Sequence, residues 1–283
     1  MMHGTLPHRA KELNEARSLL PAAFHRSPSK RLRNGAIGAA LIAPLVYGAV
    51  VFGVTPARLV EGLSRLGGIL SFMFPPHVWT TWQEWSEVLA GLGETVVMAF
   101  LGTLLGAVAS LPLAFLGAKN IMPLSWLRLL SRRGFDALRA VEQIILALIF
   151  IRAFGLGPLA GILAIAVSEI GTFAKLFAEA IENTSRRPVD GVKASGGSQF
   201  QAIRYGILPQ SLPVILSIIL YNFESNARSG TILGIVGAGG IGFLLADRMH
   251  AFRWPEAWSI IFLIIATVYI IDAVSNTLRH RLI

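Results

Sequence analysis

No cysteine occurs anywhere in the 283 residues. That absence excludes disulfides, thiolate metal ligands, iron–sulfur clusters and cysteine nucleophiles together. Charge is also scarce: Asp, Glu, Lys and Arg make up 14% of the chain, against about 25% in a soluble domain. Hydrophobic residues make up 54%, more than one water-soluble core can hide, so the bilayer is the expected solvent. The six histidines are scattered, with none paired at ligand spacing, and no metal site is expected. Lysine is limited to Lys11, Lys30, Lys119, Lys175 and Lys193, none followed by Ser or Thr. The phosphate-cradling G-x-x-x-x-G-K-[ST] loop is therefore missing, and ATP hydrolysis by that route is excluded. The charge that remains leans basic, formally +9. In a membrane chain that balance reflects basic loops facing the cytoplasm, not a nucleic-acid partner.

Long apolar runs are what the chain does have. Residues 1–35 form a basic polar segment, and residues 36–54 carry no charge over a length that spans a bilayer. Residues 57–74 repeat leucine at helical spacing, with Arg58, Glu61 and Arg65 on another face, as in a helix lying on the membrane surface against lipid. Trp79, Trp82 and Trp85 follow and are expected to anchor at the headgroup level. Further spans are predicted at 95–116, 138–155, 158–179, 213–236 and 258–274, making an all-α membrane protein of six transmembrane helices. With both termini in the cytoplasm, nineteen Lys/Arg fall inside, four outside and two within the spans. That asymmetry sets the orientation of the multi-pass chain in its membrane.

Two stretches carry the chemistry. The first is "DGVKASGGSQFQAIRYGILPQ", 190–210, inside the predicted cytoplasmic loop 180–212. It reads as a short helix with Asp190 near its start as a cap, a break at Gly196-Gly197, and a second short helix stopped by Pro209. Such a pair has little to bury against its own chain and is expected to dock on a partner. Here the sequence resembles the permease subunits of ATP-binding-cassette importers, whose loop runs E-A-A-x3-G-x9-I-x-L-P. Asp190, Gly191 and Val192 occupy the E-A-A places, Gly196 the glycine, and Leu208-Pro209 the end, while Gly206 takes the Ile place. The stretches "FPPHVWTTWQEW", "GLGPLAGILAIAVSE" and "YNFESNARSGTILGIVGAGGIG" narrow the resemblance, over about residues 70–280, to the PhnE group of phosphonate and phosphite importers. It implies a type I importer fold in a permease domain of residues 36–283 and a homodimer. It also implies two ATPase subunits that bind ATP and Mg, with no cofactor on this chain, and a periplasmic binding protein. Gly197 joins the loop residues expected to meet the ATPase.

The second stretch combines a polar helix section with a glycine turn. A charge deep in the bilayer costs at least ~2.5–3.5 kcal/mol, so Arg228 needs a reason. It is expected to face a dimer axis and attract an oxyanion, its planar fork suiting tetrahedral oxygens, with Asn226 and Ser229 beside it. Glu224, four residues earlier, is its alternative structural partner. Glu169 lies mid-span, where lining the pore and binding a neighbouring helix stay equally open. Gly237, Gly239 and Gly242 match G-x-G-x-x-G, but a dinucleotide site needs a strand before it and an α/β surround, which the chain does not offer. With Gly240 they are read instead as an outer gate, where bulky replacements should impair transport before folding. An ion-coupled secondary carrier working through Glu169 or Glu224 is the competing class, and it has no use for a docking loop.

Overall fold

The computed structural model describes residues 28–282 and contains no β-strand among them. The chain divides into two units at Leu70/Ser71. The first holds α1 (Pro28–Val51) and most of α2 (Pro56–Met73). Leu32–Val51 is long and apolar enough to cross a membrane, with none of its residues buried within the chain, as lipid-facing side chains require. A turn at Gly53 (φ 61°) separates α1 from α2. The Arg58 guanidinium caps it by donating to the Gly53 carbonyl at 3.2 Å. Along α2, Arg65 pairs with Glu61 at 2.6 Å, while Leu59, Leu63 and Leu66 stay exposed. The amphipathic helix expected over 57–74 is thus present.

The second unit runs α3 (Trp82–Gly117), α4 (Ser125–Arg139), α5 (Gln143–Phe154), α6 (Pro158–Glu182), α7 (Arg186–Ala194) and the three-residue α8 (Gln199–Gln201). A π-helical turn, Ala202–Ile207, leads into α9 (Leu208–Leu233) and a second, Gly234–Ala238, leaves it. Last come α10 (Gly240–His250) and α11 (Trp254–Leu282). Among the described residues, five segments are long and apolar enough to cross a membrane: Leu32–Val51, Trp82–Gly117, Pro158–Glu182, Gln199–Ala238 and Trp254–Arg279.

The helix expected over 138–155 is broken. The chain leaves α4 at Ala140 and restarts at Gln143, so α5 has 12 residues, about 18 Å against a hydrocarbon core of about 30 Å. Polarity explains the break: α4 carries four arginines, whereas α5 is apolar up to Arg152, and one straight helix would drag the arginines into lipid. Instead α4 is tied down at the end of the bundle. Lys175 of α6 donates to Asp136 at 2.8 Å, and Arg132 reaches Glu182 at 2.8 Å and the Gly117 carbonyl at 3.1 Å. The Lys175 hydrogen bond holds the Asp136 carboxyl below its ordinary value. Lys175 and Glu182 are therefore both partnered across the α4–α6 contact.

The centre of the unit is the pair α3–α6. Gly102, Gly106 and Ser110 repeat every fourth residue of α3, and a Cβ on Gly106 would lie 2.8 Å from the Glu169 Cβ. Small residues at this spacing let helix backbones close together where lipid supplies no hydrophobic drive. Ser110 adds a hydrogen bond across the seam, from its Oγ to the Ile170 carbonyl at 3.1 Å. Near the start of α3, Trp79 packs with Val88, Leu92, Ile241 and Ile260 and is 6% exposed. Its carbonyl accepts from Trp85 Nε1 at 3.0 Å. The expectation of three headgroup anchors is thereby corrected: Trp82 is exposed, whereas Trp79 is core. Sequence shows the aromatic cluster but not which ring folds inward.

Candidate translocation site and coupling element

Asn226 of α9 joins four helices. Its Nδ2 donates to Glu169 Oε1 of α6 at 2.8 Å and to Thr103 Oγ1 of α3 at 3.0 Å. Its Oδ1 accepts from Gln143 Nε2 of α5 at 2.9 Å. Asn226 and Glu169 are both buried, and the second Glu169 oxygen has no hydrogen-bond partner among the described residues. In the bilayer such a cluster holds helices together because its polar atoms have no water to turn to. Glu169 thus contacts a neighbouring helix, one of the two readings open for it. Asn226, read as a pathway residue beside Arg228, points the other way. Gln143 and Thr103 went unnoticed in sequence, although a lone amide opening an apolar helix was a usable signal.

Two residues away the helix changes character. Glu224 is buried, and its two oxygens are divided between Arg228 Nη2 and Arg279 Nη2, each at 3.3 Å. Arg279 comes from α11 and also lies over the Tyr221 ring, 5.9 Å from its centre. An ionised carboxylate buried without a cation is strongly unfavourable, and one arginine is enough to spare Glu224 that cost. It has two, which leaves one net positive charge. The pair is asymmetric: the Arg279 side chain is 23% exposed and Arg228 55%. Arg279 is thus the structural partner, and Arg228 presents its guanidinium on the open face of α9 near the partly exposed Ser229. Nothing local in the sequence links Arg279 to a helix 55 residues away.

At the loop, Asp190, Gly191 and Val192 lie in the middle of α7, whose N-cap is Ser185. Asp190 therefore does not cap the helix. The break at Gly196-Gly197 is present, with Gly196 at φ 83°. Ser198 and Gln201 then close a reciprocal cap, Ser198 N to Gln201 Oε1 at 2.7 Å and Gln201 N to Ser198 Oγ at 3.3 Å. The expected stop at Pro209 is absent. Leu208 is helical (φ −57°, ψ −44°) and its N–H reaches back five residues to the Ile203 carbonyl. Pro209, lacking an N–H, sits where this five-residue register returns to four, so α8 runs into α9 without a turn. No residue of α7 is buried, and Phe200, Tyr205, Leu208 and Pro209 are exposed.

The glycine stretch forms the tight reversal from α9 into α10. Gly237, Gly239 and Gly240 have φ of 109°, 82° and 70°, conformations that side chains disfavour. Gly157 N donates to the Gly237 carbonyl at 3.1 Å, fixing the turn to the α5–α6 connection. The open N–H groups of α10 are met from α3: Glu94 Oε2 accepts from Gly240 N at 2.8 Å, and Thr95 Oγ1 accepts from Ile241 N at 2.9 Å. A carboxylate at a helix start also complements the helix dipole. Glu94→Ala is expected to cost about 1 kcal/mol of stability, read as a lower melting temperature of the purified protein. Glu94→Gln, which keeps an acceptor oxygen, should recover most of it.

A helix bundle with five apolar segments of membrane-spanning length is the architecture of an integral membrane protein. Residues 110–283 match the family described as binding-protein-dependent transport system inner membrane component. The chain belongs to that family: it is the multi-pass inner-membrane permease of an ATP-binding-cassette importer, with ATP hydrolysis in a separate subunit. It is 34% identical to a putative phosphite transport system permease, HtxC, of Stutzerimonas stutzeri, over 93% of this chain and 92% of that one. It is 33% identical to the phosphate-import permease PhnE of Mycolicibacterium smegmatis, over 89% of this chain and 47% of that one. The inward-facing MetNI methionine transporter has the same fold, with a TM-score of 0.64 at 20% identity, covering 72% of this chain and all of that one.

Proposed function

We propose that this permease imports phosphonate or a closely related phosphorus oxyanion, with phosphite and hypophosphite as the nearest alternatives. The observation that carries the reading is the arrangement Arg279–Glu224–Arg228, which leaves a guanidinium charge in excess on an open face within a membrane-length helix. An oxyanion is the cargo such a charge attracts. The names of the relatives, phosphite and phosphate permeases, support the same chemical class. In this reading the chain crosses six times with α5 as the short third crossing, and both ends lie in the cytoplasm, on the strength of the Lys/Arg asymmetry. Two copies pair so that their Arg228 and Ser229 faces line one route. The loop of Asp190, Gly191, Val192, Gly196, Gly197, Leu208 and Pro209 docks on an ATPase subunit, and the Gly237–Gly242 turn forms the outer gate, below a periplasmic binding protein. ATP-driven closure of the ATPases opens the route outward, and hydrolysis resets it inward. Growth of a deletion strain, complemented with this gene, on phosphonate, phosphite, hypophosphite or phosphate as sole phosphorus source tests the cargo. Restored growth on one or more of the first three is expected. Growth restored on none of the four sources removes the reading.

A further inference from the structure

The loop proposed to meet the ATPase also borders a cleft of mixed charge. Between α7, the turn after α3 and the start of the α8–α9 helix lies a cavity of about 280 Å³. Lys119, Arg186 and Lys193 line it, with Asp190 the one acidic residue among the lining groups. Among the described residues none of these four makes an ion pair within 4 Å, although elsewhere in this end of the bundle Arg132 and Lys175 are paired. Three cations and one carboxylate that do not neutralise one another leave an excess of two positive charges around one concavity. Ser185, which also lines it, makes no side-chain capping bond to α7. Val189, Ala202, Ile203 and Ile207 supply the apolar part of the lining, while Lys119, Arg186, Asp190 and Lys193 are all exposed.

We infer that this cavity binds a phosphate-class anion, held jointly by Lys119 from the α3–α4 connection and by Arg186 and Lys193 of α7. The shared chemistry is a tetrahedral phosphorus oxyanion. Its two sources are a free cytosolic anion and the headgroup of an anionic lipid. An anion so placed bridges α7 to the end of α3 and fixes the docking element relative to the bundle. The orientation of the loop toward the cytoplasm rests on the functional reading above, but binding itself does not require transport.

The test uses the full chain in nanodiscs, with inorganic phosphate as the probe and its phosphorus NMR line as the readout. In neutral phosphatidylcholine discs, phosphate should broaden saturably, and Lys119→Gln or Lys193→Gln should each weaken binding by about tenfold, the loss of one charge-assisted hydrogen bond. Lys119→Arg should retain it. If phosphatidylglycerol discs abolish phosphate binding in the parent chain, the lipid headgroup is the occupant. If they do not, the free anion is. Absence of saturable binding in neutral discs, or binding unchanged in both glutamine variants, overturns the site. Failure of the growth test with phosphate binding intact would overturn the transport reading alone.

Discussion

Arg228→Gln is expected to abolish uptake while leaving the assembled permease in the membrane. The division of labour around Glu224 makes the two effects separable. Glu224 keeps Arg279 on its other oxygen at 3.3 Å, so loss of Arg228 does not strand a buried carboxylate. The stability cost should be small, because Arg228 is the more exposed of the two arginines on Glu224. Transport loses a guanidinium aimed at an anion out of bulk water, where truncating one partner of a charge pair costs about 2 kcal/mol or more, roughly thirtyfold in rate. Two copies facing one route would compound the loss. Arg279→Gln should behave differently. It removes the better-buried partner together with its contact to Tyr221 and should lower the amount of assembled protein as well as uptake. The measurement is initial uptake rate normalised to membrane-inserted protein for each variant. Normal uptake by the Arg228 variant would sink the pathway role.

The features legible in sequence are those a bilayer imposes residue by residue. Apolar length marked five of the six expected spans, and the loop pattern marked the exposed helix pair α7–α8, because neither depends on what packs beside it. The differences are tertiary. Whether Trp79 or Trp82 folds inward depends on Ile241 and Ile260, which lie far along the chain. The role of Arg279 depends on α11 returning beside α9. Pro209 looked like a stop because a proline lacks an N–H. The π-helical turn before it changes the hydrogen-bond register at that point, and a local propensity rule cannot anticipate this. Asn226 and Arg228 show the limit most clearly. They are two residues apart in one polar run, yet one ties four helices together and the other faces outward. Polarity alone marked the section as unusual, and helical geometry then sent its members to opposite faces.

Gly242→Ala is expected to prevent the permease from accumulating as a folded protein. A Cβ at this position would overlap the Thr231 carbonyl oxygen of α9 and lie 3.0 Å from the Gly234 Cα. Both are backbone atoms, so no rotamer change relieves the clash and the whole of α10 must move away from α9. Overpacking of this kind costs about 1–3 kcal/mol when side chains can adjust, and the cost is higher where they cannot. Movement of α10 would also pull Gly240 and Ile241 from Glu94 and Thr95, so the reversal loses its caps in the same step. Gly240→Ala is the milder case. It strains a backbone at φ 70° and crowds the Thr95 hydroxyl, a cost of about 1–3 kcal/mol. Its folding and transport should therefore fall together, against the reading from sequence that transport fails first. Gly93→Ala, with nothing within 4 Å of the added methyl, serves as the control and should accumulate like the parent. The readout is monodisperse yield after detergent extraction, followed by uptake for whatever folds. If Gly242→Ala accumulates as well as Gly93→Ala, α10 does not pack backbone-to-backbone on α9, and the turn is not the rigid reversal that a gate at this end requires.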